Sequence, residues 1–180
     1  RDAECFPEAI AAGAFVQRGD APQPPDPDYP FLVGWWNSLF LPFAGAIDFS
    51  NPAAAAWWGA RVDAVADAVG LDGFKYDAGE TQFLPNPAVL APGVLPNAYP
   101  DRYARWAVAH RGVEVRAGWF AQDVPSAFRQ FDKDPAWGLD NGLASVLTQC
   151  LARGLVGYPF VLPDMVGGNE YACRADDELF

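Results

Sequence analysis

Several acidic side chains stand at the ends of short apolar runs in this chain. Asp48 closes Ala46-Ile47, Asp77 closes Leu71 to Tyr76, Asp132 closes Phe128 to Phe131, and Asp164 follows Leu155 to Leu162. Two carboxylates facing each other across a pocket can break a glycosidic bond. One attacks the anomeric carbon while the other protonates the departing oxygen and later activates water. Asp77 and Asp132 are the best-placed pair. In an extended strand Asp77 shares a face with Lys75, whose cation would hold it ionised as a nucleophile. Asp132 ends an apolar, aromatic strand, where desolvation is expected to raise its pKa towards that of an acid.

Plainer roles stand beside this reading. Asp48 precedes a helix and can cap it or bond local backbone. Asp134 and Asp140 read as solvated or capping, and Glu80, early in a loop, can orient a neighbour. His110 belongs to a helical stripe far from any strand end and reads as structural. With one histidine and scattered cysteines neither a zinc site nor a serine–histidine triad is expected. Trp35, Trp36, Trp119 and Trp137 are candidate sugar platforms, or ordinary core aromatics.

The elements that must position these residues alternate. Asn51-Pro52 starts a helix, Trp58, Val62, Val65 and Val69 form its apolar stripe, and Gly70 stops it. Leu71 to Asp77 then reads as a buried strand. Tyr103, Trp106, Ala107 and His110 share a second helical face, Gly112 breaks it, and Val113 to Ala117 alternates like a strand. Phe128 to Asp132 is a shorter strand candidate. Leu139, Leu143, Val146, Leu147, Cys150 and Leu151 mark a third helix, and Leu155 to Leu162 a continuous apolar strand. Strands alternating with helices predict a parallel α/β sheet, either open and doubly wound or closed into an eight-stranded barrel. No glycine-rich phosphate loop follows any strand, which favours the barrel. The strand period predicts an inner face of Ala46, Asp48, Lys75, Asp77, Glu114, Arg116, Gln130 and Asp132. Ile47, Phe74, Tyr76, Val113, Val115 and Phe131 are expected opposite, under helices. The long connections Gln17 to Pro30 and Ala78 to Pro100 hold five prolines each, and loops of that length are usually functional or disordered.

Composition narrows the classes. At 180 residues and 51% hydrophobic side chains the chain can bury one domain's core. A net charge of −11 repels nucleic acid and anionic membranes. The longest uncharged run, Phe31 to Ile47, holds Asn37, Ser38 and Pro42 and falls short of the roughly 20 apolar residues of a membrane span. Cys5, Cys150 and Cys173 fit no disulfide framework, which favours a reducing, cytoplasmic setting. The chain opens with Arg1 and its only methionine is Met165, so it is expected to be part of a longer product.

Ordered motifs along the chain resemble glycoside hydrolase family 31. They are Trp35-Trp36-Asn37, Ile47-Asp48-Phe49-Ser50-Asn51-Pro52, Phe74-Lys75-Tyr76-Asp77-Ala78-Gly79-Glu80 and Gly157 to Asn169. Within the family the resemblance is to the branch of the myogenesis-regulating glycosidases. It implies a retaining α-glycosidase on a (β/α)8 TIM barrel, of which residues 1–180 form a single incomplete catalytic domain holding approximately strands 3 to 7. Asp77 falls on the nucleophile, Asp132 on the acid/base, Lys75 on a residue contacting substrate hydroxyls, and Arg116 on the arginine that grips the sugar. Trp36 falls on the platform tryptophan and Asp164 on the polar residue closing the seventh strand. Asp134, two positions on, is the rival acid/base; strand position and Trp137 favour Asp132. Arg129 stands where many α-glucosidases of the family carry an aromatic, which argues against assuming glucose. The resemblance implies an oligosaccharide or other α-glycoside as partner, no nucleic acid or membrane, no cofactor and no metal, with a homo-oligomer possible. A non-catalytic carbohydrate-binding remnant is the alternative. Carboxyl groups about 5 to 5.5 Å apart would fit retention, and roughly 6.5 to 9.5 Å inversion.

Overall fold

The computed structural model describes residues 4–20, 30–34, 43–171 and 174–179. Helix α1 (Phe6–Ala11) and strands β1 (Gln17–Arg18), β2 (Leu32–Gly34) and β3 (Phe43–Gly45) come first. Helix α2 (Pro52–Val69), β4 (Phe74–Tyr76), β5 (Ala88–Val89) and α3 (Ala98–Ala109) follow. The rest is β6 (Gly112–Val115), β7 (Ala127–Arg129), α4 (Leu143–Leu155) and β8 (Val161–Leu162). Strands β4, β6, β7 and β8 form one parallel sheet in that order, with α3 crossing from β4 towards β6 and α4 from β7 to β8. The α/β architecture and parallel sheet are those expected. The stretch 46–48 joins no ladder of that sheet among the described residues. Ile47 instead bridges Phe15, while β3 pairs antiparallel with β2.

Local chemistry accounts for the bounds of α2. Asn51 is extended, its side chain accepts from Ala53 N at 3.0 Å, Pro52 opens the first turn, and Gly70 closes the helix in the left-handed region at φ 69°. Its buried face differs from the expected stripe. Ala54, Gly59 and Ala66 are buried and Trp58 and Val62 pack on the core, but Val65 and Val69 are exposed. The small residues decide this, because a Cβ at Gly59 would overlap the His110 ring, which seats between α2 and Trp106 and meets Asp63 at 2.9 Å. His110 is structural, as its stripe suggested.

The largest cluster is aromatic. Phe49 contacts Trp106 at 4.7 Å and Tyr103 at 5.3 Å between ring centres, and Tyr76 meets Trp106 at 5.2 Å. Each buried aromatic contributes on the order of 2 kcal/mol of hydrophobic stabilisation. Their polar ends are satisfied: Tyr99 donates to Ile47 O at 2.8 Å, Tyr103 to Asp77 O at 2.6 Å, and Trp106 to Ala55 O at 3.0 Å.

Two expectations at the C-terminal end are corrected. Residues 155–160 are not strand, since α4 runs through Leu155 and only Val161–Leu162 pair with β7. The stripe Leu139, Leu143, Leu147 and Leu151 lies exposed. The sheet side of α4 is taken by Ser145, Val146 and Cys150, because buried Gln130 and Lys133 need polar partners there. Gln130 Nε2 reaches Val146 O at 3.1 Å and Cys150 Sγ at 2.9 Å, and Lys133 Nζ reaches Ser145 Oγ at 3.1 Å.

Candidate active site

Asp77 follows β4 directly. The Tyr103 hydroxyl holds its carbonyl, and the next two residues turn sharply, with Ala78 at φ 59° and Gly79 at φ 91°. At Gly79 a side chain is barred twice over, by the positive φ and by the Tyr103 ring filling the space of a Cβ. The turn delivers Glu80 to Arg116, which leaves the end of β6.

Arg116 and Arg129, each with a side chain only 6% exposed, organise the site. Arg116 grips Glu80 through Nε and Nη2, the latter at 3.1 Å. Its Nη1 lies 3.3 Å from Asp77 Oδ1 and 3.2 Å from Asp132 Oδ1, so those two oxygens are no more than about 6.5 Å apart. Arg129 donates to Asp77 through Nη2 and to Asp164 through Nη1, and its Nε forms an ion pair with Glu114 at 3.0 Å. Buried charges of this kind cost several kcal/mol, roughly, unless paired; Arg116 is hydrogen-bonded through all three nitrogens, whereas Arg129 Nε and Glu114 Oε1 are close in charge but do not form a hydrogen bond. Asp164 also accepts from Lys133 N at 3.0 Å and from the Asn169 amide.

The candidate residues Asp77, Asp132, Arg116 and Asp164 are therefore brought into one cluster. Lys75 is at its edge, more than half exposed, and pairs with Glu114 at 3.7 Å; the cations beside Asp77 are Arg116 and Arg129. Trp36, with Trp35, lies outside the described residues. Asp48 accepts from Ser50 N at 2.9 Å and from the Ser50 hydroxyl, a local turn before the helix. Asp134 is exposed, and Glu80 does orient a neighbour, Arg116.

Alternation fails on one strand. Gln130, expected on the inner face, is fully buried under α4, while Arg129 points into the cluster. Phe131, expected under a helix, is half exposed with the Arg116 guanidinium 4.9 Å from its ring centre. The strand ends at Arg129, and beyond it the neighbours Phe131 and Asp132 both reach Arg116, which a two-residue period forbids.

The charge state of Asp132 also departs from expectation. Burial pushes its carboxyl up, but a 2.8 Å hydrogen bond from the Tyr171 hydroxyl, with Arg116 and Arg129 alongside, outweighs burial and holds it below the usual carboxylate range. Tyr171 and Asn169 carry no spacing signal that marks them as partners of Asp132 and Asp164. Arg129 had one, three positions before Asp132.

Parallel strands joined by helical crossovers, with the charged cluster gathered at the C-terminal strand ends, define a segment of a (β/α)8-barrel protein of the kind that places its active site on that rim. Residues 1–180 match the family model of the glycosyl hydrolases family 31 TIM-barrel domain, and the chain belongs to this family. It is 35% identical over 166 residues to myogenesis-regulating glycosidase of Mus musculus, covering 91% of this chain and 22% of that protein. To sulfoquinovosidase of Escherichia coli (strain K12) it is 27% identical over 139 residues, covering 69% and 20%. The chain thus spans about a fifth of the length of these relatives. The fold is shared with the cycloalternan-degrading enzyme from Trueperella pyogenes, at a TM-score of 0.72 and 22% identity over 96% of this chain and 24% of that one. It is shared also with the cycloalternan-forming enzyme from Listeria monocytogenes, at 0.63 and 19% over 95% and 16%.

Proposed function

We propose that the protein hydrolyses terminal α-linked sugars with retention, Asp77 acting as nucleophile and Asp132 as acid/base. The observation carrying this reading is the shared Arg116 Nη1, which sets a ceiling of about 6.5 Å on the separation of one oxygen of each carboxylate, a ceiling that admits the roughly 5 to 5.5 Å expected for retention. In the first step an Asp77 oxygen bonds to the anomeric carbon as the glycosidic C–O bond breaks, and the Asp132 proton goes to the leaving oxygen. In the second, Asp132 takes a proton from water, the water oxygen bonds to the anomeric carbon, and Asp77 departs as a carboxylate. A sugar filling the site strengthens the desolvation that already pushes Asp132 up, favouring its acid form. Once Asp77 is esterified its negative charge is gone, which lowers Asp132 for its role as base.

Five carboxylates, Asp77, Glu80, Glu114, Asp132 and Asp164, face Arg116, Arg129 and Lys75 in this cluster. The surplus of negative charge supports a transition state with positive charge on the sugar ring. Both guanidiniums are already taken by carboxylates, which fits an uncharged sugar better than the sulfonated one that the name sulfoquinovosidase denotes for its own bearer. The test is Asp77→Asn in the intact protein and, separately, labelling of the unaltered protein with a mechanism-based α-glycosyl fluoride. Turnover should fall by roughly a thousandfold or more, and mass spectrometry should place the label on Asp77. A label on another residue, or near-normal turnover in Asp77→Asn, overturns the assignment.

A further inference from the structure

The connection from β6 to β7, residues 116–126, carries no helix, unlike the connections that hold α3 and α4. A cavity of about 420 Å³ lies against it, and the lining includes neither Asp77 nor Asp132. Arg153, in the last turn of α4, forms part of that lining. Its Nη1 donates to Phe128 O at 3.0 Å and to Arg129 O at 3.1 Å. No described residue accepts from its Nε or Nη2, and neither nitrogen is sealed from solvent. Burial pushes the guanidinium below its ordinary range, and the groups acting on its charge, Tyr158, Cys150 and Arg129, include no carboxylate. A half-buried cation without a counterion costs free energy that two carbonyl dipoles offset only in part.

We propose that this cavity binds a small molecule carrying one carboxylate on a ring, with Arg153 as its charge partner and Trp119 and Phe131 as its walls. Nε and Nη2 form the side-on fork of a guanidinium, the same edge with which Arg116 grips Glu80. A carboxylate fits that edge through two parallel hydrogen bonds. Glu80 is the acid of this lining and its charge is matched by Arg116, which leaves Arg153 as the charge without a partner. Trp119 is 48% exposed and Phe131 is 51% exposed, so both offer ring surface to a flat body. Asn97, at the cap position of α3, makes no capping hydrogen bond with its side chain and adds a polar group to the same lining. The volume is in the range of small-molecule sites and exceeds what a lone inorganic anion fills. The surplus of negative charge in the neighbouring acid cluster opposes a second negative group, which limits the ligand to a single charge.

The experiment titrates the intact protein, by calorimetry at constant ionic strength, with sodium benzoate, sodium glucuronate and neutral benzyl alcohol. At least one of the two acids should bind with a Kd on the order of 1 mM, and benzyl alcohol about tenfold more weakly or not at all. Benzoate alone identifies the ring as aromatic, and glucuronate identifies it as a sugar acid. In Arg153→Met the affinity for the bound acid should fall about tenfold, and in Trp119→Ala about threefold. Binding by neither acid, equal binding of benzyl alcohol, or an unchanged affinity in Arg153→Met overturns the site. Where Arg153→Met does not fold, Trp119→Ala decides, since it removes a half-exposed ring, and an unchanged affinity there overturns the site. The readout is binding and not turnover, so its outcome is independent of the roles given to Asp77 and Asp132.

Discussion

The Tyr171 hydroxyl donates a 2.8 Å hydrogen bond to Oδ2 of Asp132, from 39 positions further along the chain. A donor aimed at a carboxylate stabilises its ionised form, and the proposed acid step needs the protonated form. In Tyr171→Phe the carboxyl of Asp132 loses one of the interactions holding it down while burial remains. The alkaline limb of the kcat/KM profile should therefore move to higher pH. A purely structural role for Tyr171 would lower kcat/KM at every pH and leave the limb where it is.

Arg129 forms ion pairs with Asp77, Glu114 and Asp164 at once from a buried position. Arg129→Met keeps much of the volume but strands Asp164, itself 6% exposed, without its guanidinium partner. Stability should fall by about 3 kcal/mol, read as a lower urea midpoint. Asp164→Asn in the same background should recover part of that loss, because the uncompensated charge is what costs most. A double-mutant cycle that closes additively would show that the two do not interact.

Lys133 is buried beside Ser145, and burial pushes its ammonium below its ordinary pKa of 10.5, against a smaller upward pull from Asp164. Between the depressed folded value and 10.5 the unfolded chain binds more protons than the folded one, so this group makes stability rise with pH there. Below that window the full penalty applies. Lys133→Met should accordingly raise the urea midpoint at pH 7, by the equivalent of about 1 kcal/mol, with the gain shrinking as pH climbs. Ser145 keeps its bond to Gly142 O at 2.7 Å and is not left unpaired. A gain that is the same at pH 7 and pH 9.5 would contradict the titration of Lys133.

Helix α2 shows which parts of the fold are local. Asn51, Pro52 and Gly70 act within a turn of themselves, and the helix runs between them as their types require. Its buried face is not local, because Gly59 and His110, from different helices, decide which residues touch. At β7 the expected inner Gln130 gave way to Arg129, since the strand stops early and a period of two holds only while the ladder lasts. The end of α4 ran into the apolar stretch read as strand, and a short apolar run does not by itself distinguish the two.

Residue types and spacing alone placed carboxylates at the ends of the parallel strands and put Asp77, Arg116, Asp132 and Asp164 in one group, while leaving the role of Glu80 open. These depend on strand period, helix caps and motif order, which are properties of short stretches. Tertiary structure alone decided which cations meet Asp77, that Arg129 enters the cluster, and that Tyr171 keeps Asp132 ionised. Such outcomes depend on distances between groups far apart in the chain, and Coulomb and hydrogen-bond energies are set by those distances rather than by neighbours in sequence.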